Sequence, residues 1–154
     1  MFYIPFWIYI AVVVAFAWAA IKVRKIRFID IQVMIIVLAV SMSCDMLFCK
    51  QFGLYHYVSV EYRGWYSFWA NLVACPALGL IYIKFLPSKF KGIALYIIAW
   101  SISFTIIELY ILKPNGILET SAWRTIPWSP IGFVLALALE TIYYKFLVKS
   151  YYSH

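Results

Sequence analysis

Residues 92–112 read GIALYIIAWSISFTIIELYIL, a run whose only charged side chain is Glu108. A membrane-spanning α-helix needs roughly 20 mostly apolar residues, and this run supplies them. The stretch therefore predicts a transmembrane helix and raises a second question. A charged side chain near mid-membrane costs on the order of 3 kcal/mol, so Glu108 is expected to turn toward other polar groups. Ser101, Thr105 and Glu108 follow the i, i+4, i+7 spacing and share one helical face, whereas Leu95, Ile98 and Leu109 lie elsewhere.

Four further runs have the same character: Phe2–Ile21, Phe28–Cys49, Tyr66–Ile83 and Ile131–Leu147. With 66% hydrophobic and 12% charged residues, the 154-residue chain falls far below the roughly 25% charge of soluble domains. Period-two alternation is absent, and the breakers Gly53, Gly64, Pro87, Gly92, Pro114, Gly116, Pro127 and Pro130 fall between the runs or at their edges. The expected fold is all-α: a polytopic transmembrane helix bundle of five spans forming one domain over residues 1–154. Glu140 interrupts the fifth run, so a four-span chain with a re-entrant last segment is the alternative. The first run has no basic stretch before it and no small-residue cleavage pattern after it, and it is expected to stay as a helix.

Charge distribution sets the expected orientation. Nine of the thirteen Lys and Arg residues fall in KVRKIR (22–27), KFLPSKFK (84–91) and the tail at Lys145 and Lys149. The other four are Lys50, Arg63, Lys113 and Arg124. By the positive-inside rule the N-terminus is outside and the C-terminus cytoplasmic. The net charge of +7 is spread between apolar runs, where it meets lipid phosphates or sets topology, and no basic stripe with interleaved aromatics supports nucleic-acid binding. Cys44, Cys49 and Cys75 lack CxxC spacing and read as small apolar packing residues. No cofactor and no metal is expected; His56 beside Asp45 and Glu108 was the one metal arrangement worth weighing, and a lone histidine there reads as an interfacial side chain.

The segments after the second and fourth runs share a pattern at an offset of 63 residues: Asp45 with Glu108, Lys50 with Lys113, Gly53 with Gly116, Trp65 with Trp128. This would be a parallel tandem repeat of a helical hairpin, with the first span as an addition. Each acid precedes its lysine by five residues, placing both about 7.5 Å inside the outer boundary. Ser41 and Asp45 share a face, as do Asn71 and Cys75. One polar cluster of Asp45, Asn71, Thr105 and Glu108 is expected in the outer half, rimmed by Lys50, Lys113 and Arg124. Glu140, close to Lys145, and Asp30, close to KVRKIR, read as structural.

The cluster admits several functions. Interior polar groups hold helices together, and paired carboxyls in low dielectric suit binding and release of a proton or cation. An enzyme acting on a lipid or prenyl substrate would need equipment that is missing, since HExxH, GxSxG, P-loop and DxxD motifs are absent from the sequence. No catalytic residue is assigned. The expectation leans to small-molecule or ion binding or transport, with a subunit of a membrane complex as the alternative. Partners would be membrane lipids, a second copy or other membrane proteins. The stretches CDMLFCKQFGLYHY (44–57), YIKFLPSK (82–89) and YIIAWSISFTIIE (96–108), with Trp123, resemble an uncharacterised family of small multi-pass membrane proteins from spore-forming Gram-positive bacteria. That resemblance implies a bacterial plasma-membrane location and no activity.

Overall fold

The computed structural model describes residues 3–152, so Phe2, the predicted start of the first span, lies outside the described residues. Five helices are long and apolar enough to cross a membrane: α1 (Ile4–Val23), α2 (Phe28–Gln51), α3 (Gly64–Lys84), α4 (Phe90–Leu112) and α5 (Thr125–Tyr151). Two short strands, β1 (Tyr55–Tyr57) and β2 (Leu118–Thr120), pair antiparallel and link the α2–α3 and α4–α5 connections. The all-helical expectation did not include this ribbon.

Local chemistry accounts for the helix ends. At the start of α2, the Arg27 backbone N–H donates to Asp30 Oδ2 at 2.7 Å, one arm of a capping box. α5 begins at Thr125, earlier than the predicted Ile131. The backbone is not helical at Ile126, so Pro127 falls at the first position of the regular helix, where a proline ring is tolerated, and Pro130 lies inside the helix. The helix then runs on to where Tyr144 meets Arg27 and Tyr151 meets Gln32. Three helices widen to π geometry near the ribbon, over Met46–Gln51, Ala70–Ala74 and Glu108–Leu112. In α3 the cause is Pro76: lacking an N–H for the carbonyl four residues back, it leaves the preceding turn free to re-register, and the Cys75 N–H bonds Ala70 O.

α3 is the central helix, 61% buried against at most 28% for any other span. Its alanine ridge, Ala70, Ala74 and Ala77, lets α1 approach closely through Phe6, Ile10, Val13 and Ala17. Ile29 and Val33 of α2 and Leu137 and Leu147 of α5 pack with Leu80, Tyr82 and Ile83 of α3. α4 reaches α3 through a ring cluster, Tyr82 stacked on Tyr96 at 5.2 Å with Trp100 on edge, and the Tyr96 hydroxyl donates to Tyr82 O. Ile35, Leu95, Leu139 and Phe146 are among the large apolar side chains left exposed, on the faces that hydrocarbon would cover.

The 63-residue offset reappears in the backbone. Gly53 and Gly116 both have φ of 60°, and β1 and β2 are offset copies of each other. Within the ribbon His56 pairs with Glu119, its own counterpart. The Ser121 N–H donates to Leu54 O at 2.9 Å and the Val58 N–H to Ile117 O at 3.0 Å, which are equivalent bonds under the offset. The ribbon therefore has a local two-fold symmetry under the offset.

Both glycines occupy the left-handed region, where a Cβ costs roughly 1–2 kcal/mol. Only at Gly116 would that Cβ also meet a neighbour, the Tyr3 hydroxyl at 2.8 Å, which donates to Asn115 O. Gly116→Ala is expected to lower thermal stability in detergent more than Gly53→Ala; equal losses would mean that the Tyr3 contact carries no weight.

Candidate functional site

Of the polar residues singled out in the sequence, Asp45, Asn71, Thr105 and Glu108 are buried, and the two acids belong to two separate groups near the ribbon. Asp45 is 5% exposed at the end of the α-helical part of α2. Ser67 and Asn71 of α3 and Tyr55 of β1 turn hydrogen-bonding groups toward its carboxyl, and Lys50 lies within electrostatic reach. Its Oδ1 is nonetheless sealed from solvent without a hydrogen bond of good geometry. Burial first, and the nearby Asp45 second, push the Tyr55 phenol well above its ordinary value, so at neutral pH Tyr55 stays a donor. Lys50 is exposed, and Cys49 contacts Ser67 at 3.9 Å behind the acid.

Glu108, 4% exposed, has a different set of partners. Thr125 at the start of α5 donates to its Oε1 at 3.0 Å and accepts from Lys113 Nζ, so one hydroxyl links the acid to the lysine. Thr105 shares the face of Glu108 but donates to Ser101 O at 2.8 Å, and Ser101 donates to Pro130 O at 2.9 Å, tying α4 to α5. Arg124 is exposed and, among the described residues, is joined to neither group by a hydrogen bond. Each acid is thus held within its own hairpin. His56 donates to or accepts from Glu119 Oε2 at 2.8 Å, away from both acids' partner sets.

The polar face of α3 continues past Asn71. Ser67, Asn71, Cys75, Gly79 and Tyr82 recur at steps of three and four, a stripe roughly 22 Å long at 1.5 Å per residue. Cys75 Sγ lies 3.7 Å from Asn71 Oδ1, and Ser41 of α2 offers it a hydrogen bond from the other side. Opposite Gly79 stands Glu140 of α5: a Cβ on that glycine would lie 2.9 Å from Glu140 Oε1. That oxygen is buried and, among the described residues, without a hydrogen-bond partner. No Glu140–Lys145 pair occurs among the described ion pairs, and the carboxyl points inward, toward Gly79. Below it Tyr82 and Thr141 share a hydrogen bond of 2.6 Å. At the basic end Asp30 and Lys84, 0% and 3% exposed, form a buried ion pair.

Tyr55, Ser67, Thr125 and Glu140 complete this arrangement and were not in the predicted cluster. Extending the Asn71–Cys75 face by one turn each way reaches Ser67 and Gly79. Nothing in the local sequence marks Thr125 or Tyr55, which come from the connections. No family model, no curated protein and no solved structure matches this chain.

Thr125→Val keeps the side-chain shape and removes both of the hydroxyl's hydrogen bonds, leaving Glu108 and Lys113 unlinked. A loss of about 1–3 kcal/mol is expected from the unsatisfied buried partners, with Thr125→Ser near the parent. Thermal unfolding of the detergent-solubilised protein measures it, and an unchanged midpoint for Val would remove Thr125 from the Glu108 group.

Proposed function

We propose that this protein is a multi-pass plasma-membrane protein that binds a proton or small cation and passes it along the polar seam between α2, α3 and α5. The observation that carries the reading is Glu140 Oε1, buried opposite Gly79 without a hydrogen-bond partner among the described residues, on the stripe that also holds Asp45, whose Oδ1 is sealed from solvent and likewise without one. An ionised carboxyl without a partner is very costly in hydrocarbon, and a bound proton or small cation removes that cost. Cys75, Tyr82 and Tyr96 are the other titratable groups within electrostatic reach of Glu140, and Ser41, Asn71 and Thr141 add hydroxyl and amide groups along the seam. The ribbon would face outward and the lysine-rich end the cytoplasm, as the charge distribution implies. The resemblance to small membrane proteins of spore-forming bacteria supports a bacterial plasma membrane. Surrounding lipids and a second copy, or another membrane protein, are the partners a five-helix chain would need to complete a path.

Glu108 supports a second role within the same protein. Its oxygen Oε1 has a donor, and Thr125 relays it to Lys113, which suits packing of α4 against α5. Glu108→Gln should then lower stability and leave ion movement intact.

Flux into liposomes holding a pH-sensitive dye, driven by a potassium diffusion potential, tests the reading. Wild type should acidify or alkalinise the lumen faster than empty vesicles. Glu140→Gln should slow this more than tenfold and Asp45→Asn by about tenfold, with both variants still folded. Flux indistinguishable from empty vesicles for protons, sodium and potassium, or full flux in Glu140→Gln, would overturn it.

Orientation has its own check. In a background with Cys44, Cys49 and Cys75 replaced, an impermeant maleimide applied to intact cells should label Ser121→Cys and not Ser88→Cys, both positions being exposed at opposite ends. The reverse pattern would invert the topology.

A further inference from the structure

At the basic end, the α1–α2 and α3–α4 connections enclose a cavity of about 290 Å³ whose polar lining is Arg24, Lys25, Arg27, Lys84 and the Tyr144 hydroxyl. Ile83 and Leu86 form its apolar wall. Four cations therefore surround one space, and the described ion pairs place a single carboxylate, Asp30, among them.

Three of the four cations, Arg24, Arg27 and Lys84, are held before any ligand arrives. Lys84 Nζ donates to Asp30 Oδ2 and to Lys25 O. Arg24 Nη1 donates to Lys84 O, and its guanidinium stands over the Phe85 ring at 5.4 Å. Arg27 Nη2 donates to Asp30 Oδ1 at 3.2 Å and to the Tyr144 hydroxyl, with its guanidinium 5.9 Å from that ring. A guanidinium carries five N–H donors in a planar fork, so these contacts fix each arginine and leave donors over. Orientation of the protein in a membrane needs positive charge alone. It does not need two arginines anchored on ring faces around a cavity.

We propose that this cavity binds a phosphate group. Paired arginines match the tetrahedral oxygens of phosphate through bidentate, charge-assisted hydrogen bonds. The site lies where α1 and α3 end and α2 begins, the level of lipid headgroups, and the Ile83–Leu86 wall would lie against the glycerol or acyl portion of an anionic lipid. Free phosphate offers the same chemistry without using that wall.

The test is a thermal-stability titration of the full chain in a neutral detergent, with phosphatidylglycerol added to the micelles in one arm and inorganic phosphate in the other. A saturable rise in the midpoint with the lipid, and little with phosphate, assigns a lipid headgroup. A saturable rise with both, at comparable concentrations, assigns phosphate itself. The response should weaken at least tenfold in Arg24→Gln/Arg27→Gln. It should persist in Lys89→Gln/Lys91→Gln, which removes the same charge from the same end outside the cavity lining. Because the arginine variant also loses internal contacts, Leu86→Trp serves as a second probe: it fills the cavity with every charge in place and should abolish the response. No saturable response in either arm, or equal loss in the Lys89/Lys91 control, or full binding by Leu86→Trp, would overturn the proposal.

Discussion

A polar group surrounded by hydrocarbon has no water to return to, and this constraint decides the position of α3. α3 is the least apolar of the five spans, with a mean hydropathy of 1.4 against 1.7 to 2.2 for the others, and it is the most buried. Burial is what its sequence requires. Ser67, Asn71, Cys75, Tyr82 and Lys84 each need a partner, and α2 and α5 supply Asp45, Ser41, Thr141 and Asp30. The alanines on another face then accept α1. Were α3 at the periphery, at least the Lys84 ammonium would need to reach a headgroup. Inside, its pairing with Asp30 anchors the basic end, although such a pair specifies an arrangement more than it stabilises one.

The 63-residue correspondence organises the ribbon end, and departures from it elsewhere explain the seam. Under the 63-residue offset Asp45 and Glu108 are equally buried, and Trp65 and Trp128 equally exposed. Elsewhere the halves differ: Asn71 corresponds to Val134, Gly79 to Ile142, Lys84 to Leu147 and Asp30 to Ile93. Every polar member of these pairs is in the first hairpin. Gly79 matters most, because an isoleucine there would occupy the space that Glu140 fills. One continuous polar seam results, where perfect symmetry would have produced two or none. α1, which has no counterpart, covers the alanine face of α3 that the first hairpin leaves open.

Length and hydropathy were enough to find the five spans, since nothing but a helix hides its backbone in lipid over 20 residues. That Asp45 and Glu108 are buried at matching places, each just before the ribbon, was equally legible from their spacing to Lys50 and Lys113. Which acids share a neighbourhood was not. That depends on which helix lies between α2 and α4, and on Thr125 and Tyr55, whose positions come from the ribbon. The ribbon itself was hidden because GLYHY and GILET are too short to show alternation against an aromatic background.

Glu140 shows how one spacing can mean two things. Asp45, Glu108 and Glu140 each precede a lysine by five residues. In a regular α-helix five residues turn through about 500°, which leaves the pair about 140° apart on the helix surface. α5 is α-helical at that point, so Glu140 can enter the seam while Lys145 stays at the surface. The other two acids sit where the helix widens to π geometry, in which residue i meets i+5. There the Lys113 N–H bonds Glu108 O at 3.0 Å, and Lys50 is brought back toward Asp45. The same acid-to-lysine spacing therefore brings the lysine back to the side of its acid where the helix is widened, and leaves the two on different sides where it is not. Glu140 lies deepest along the stripe, opposite the only residue on that face with no side chain to exclude it.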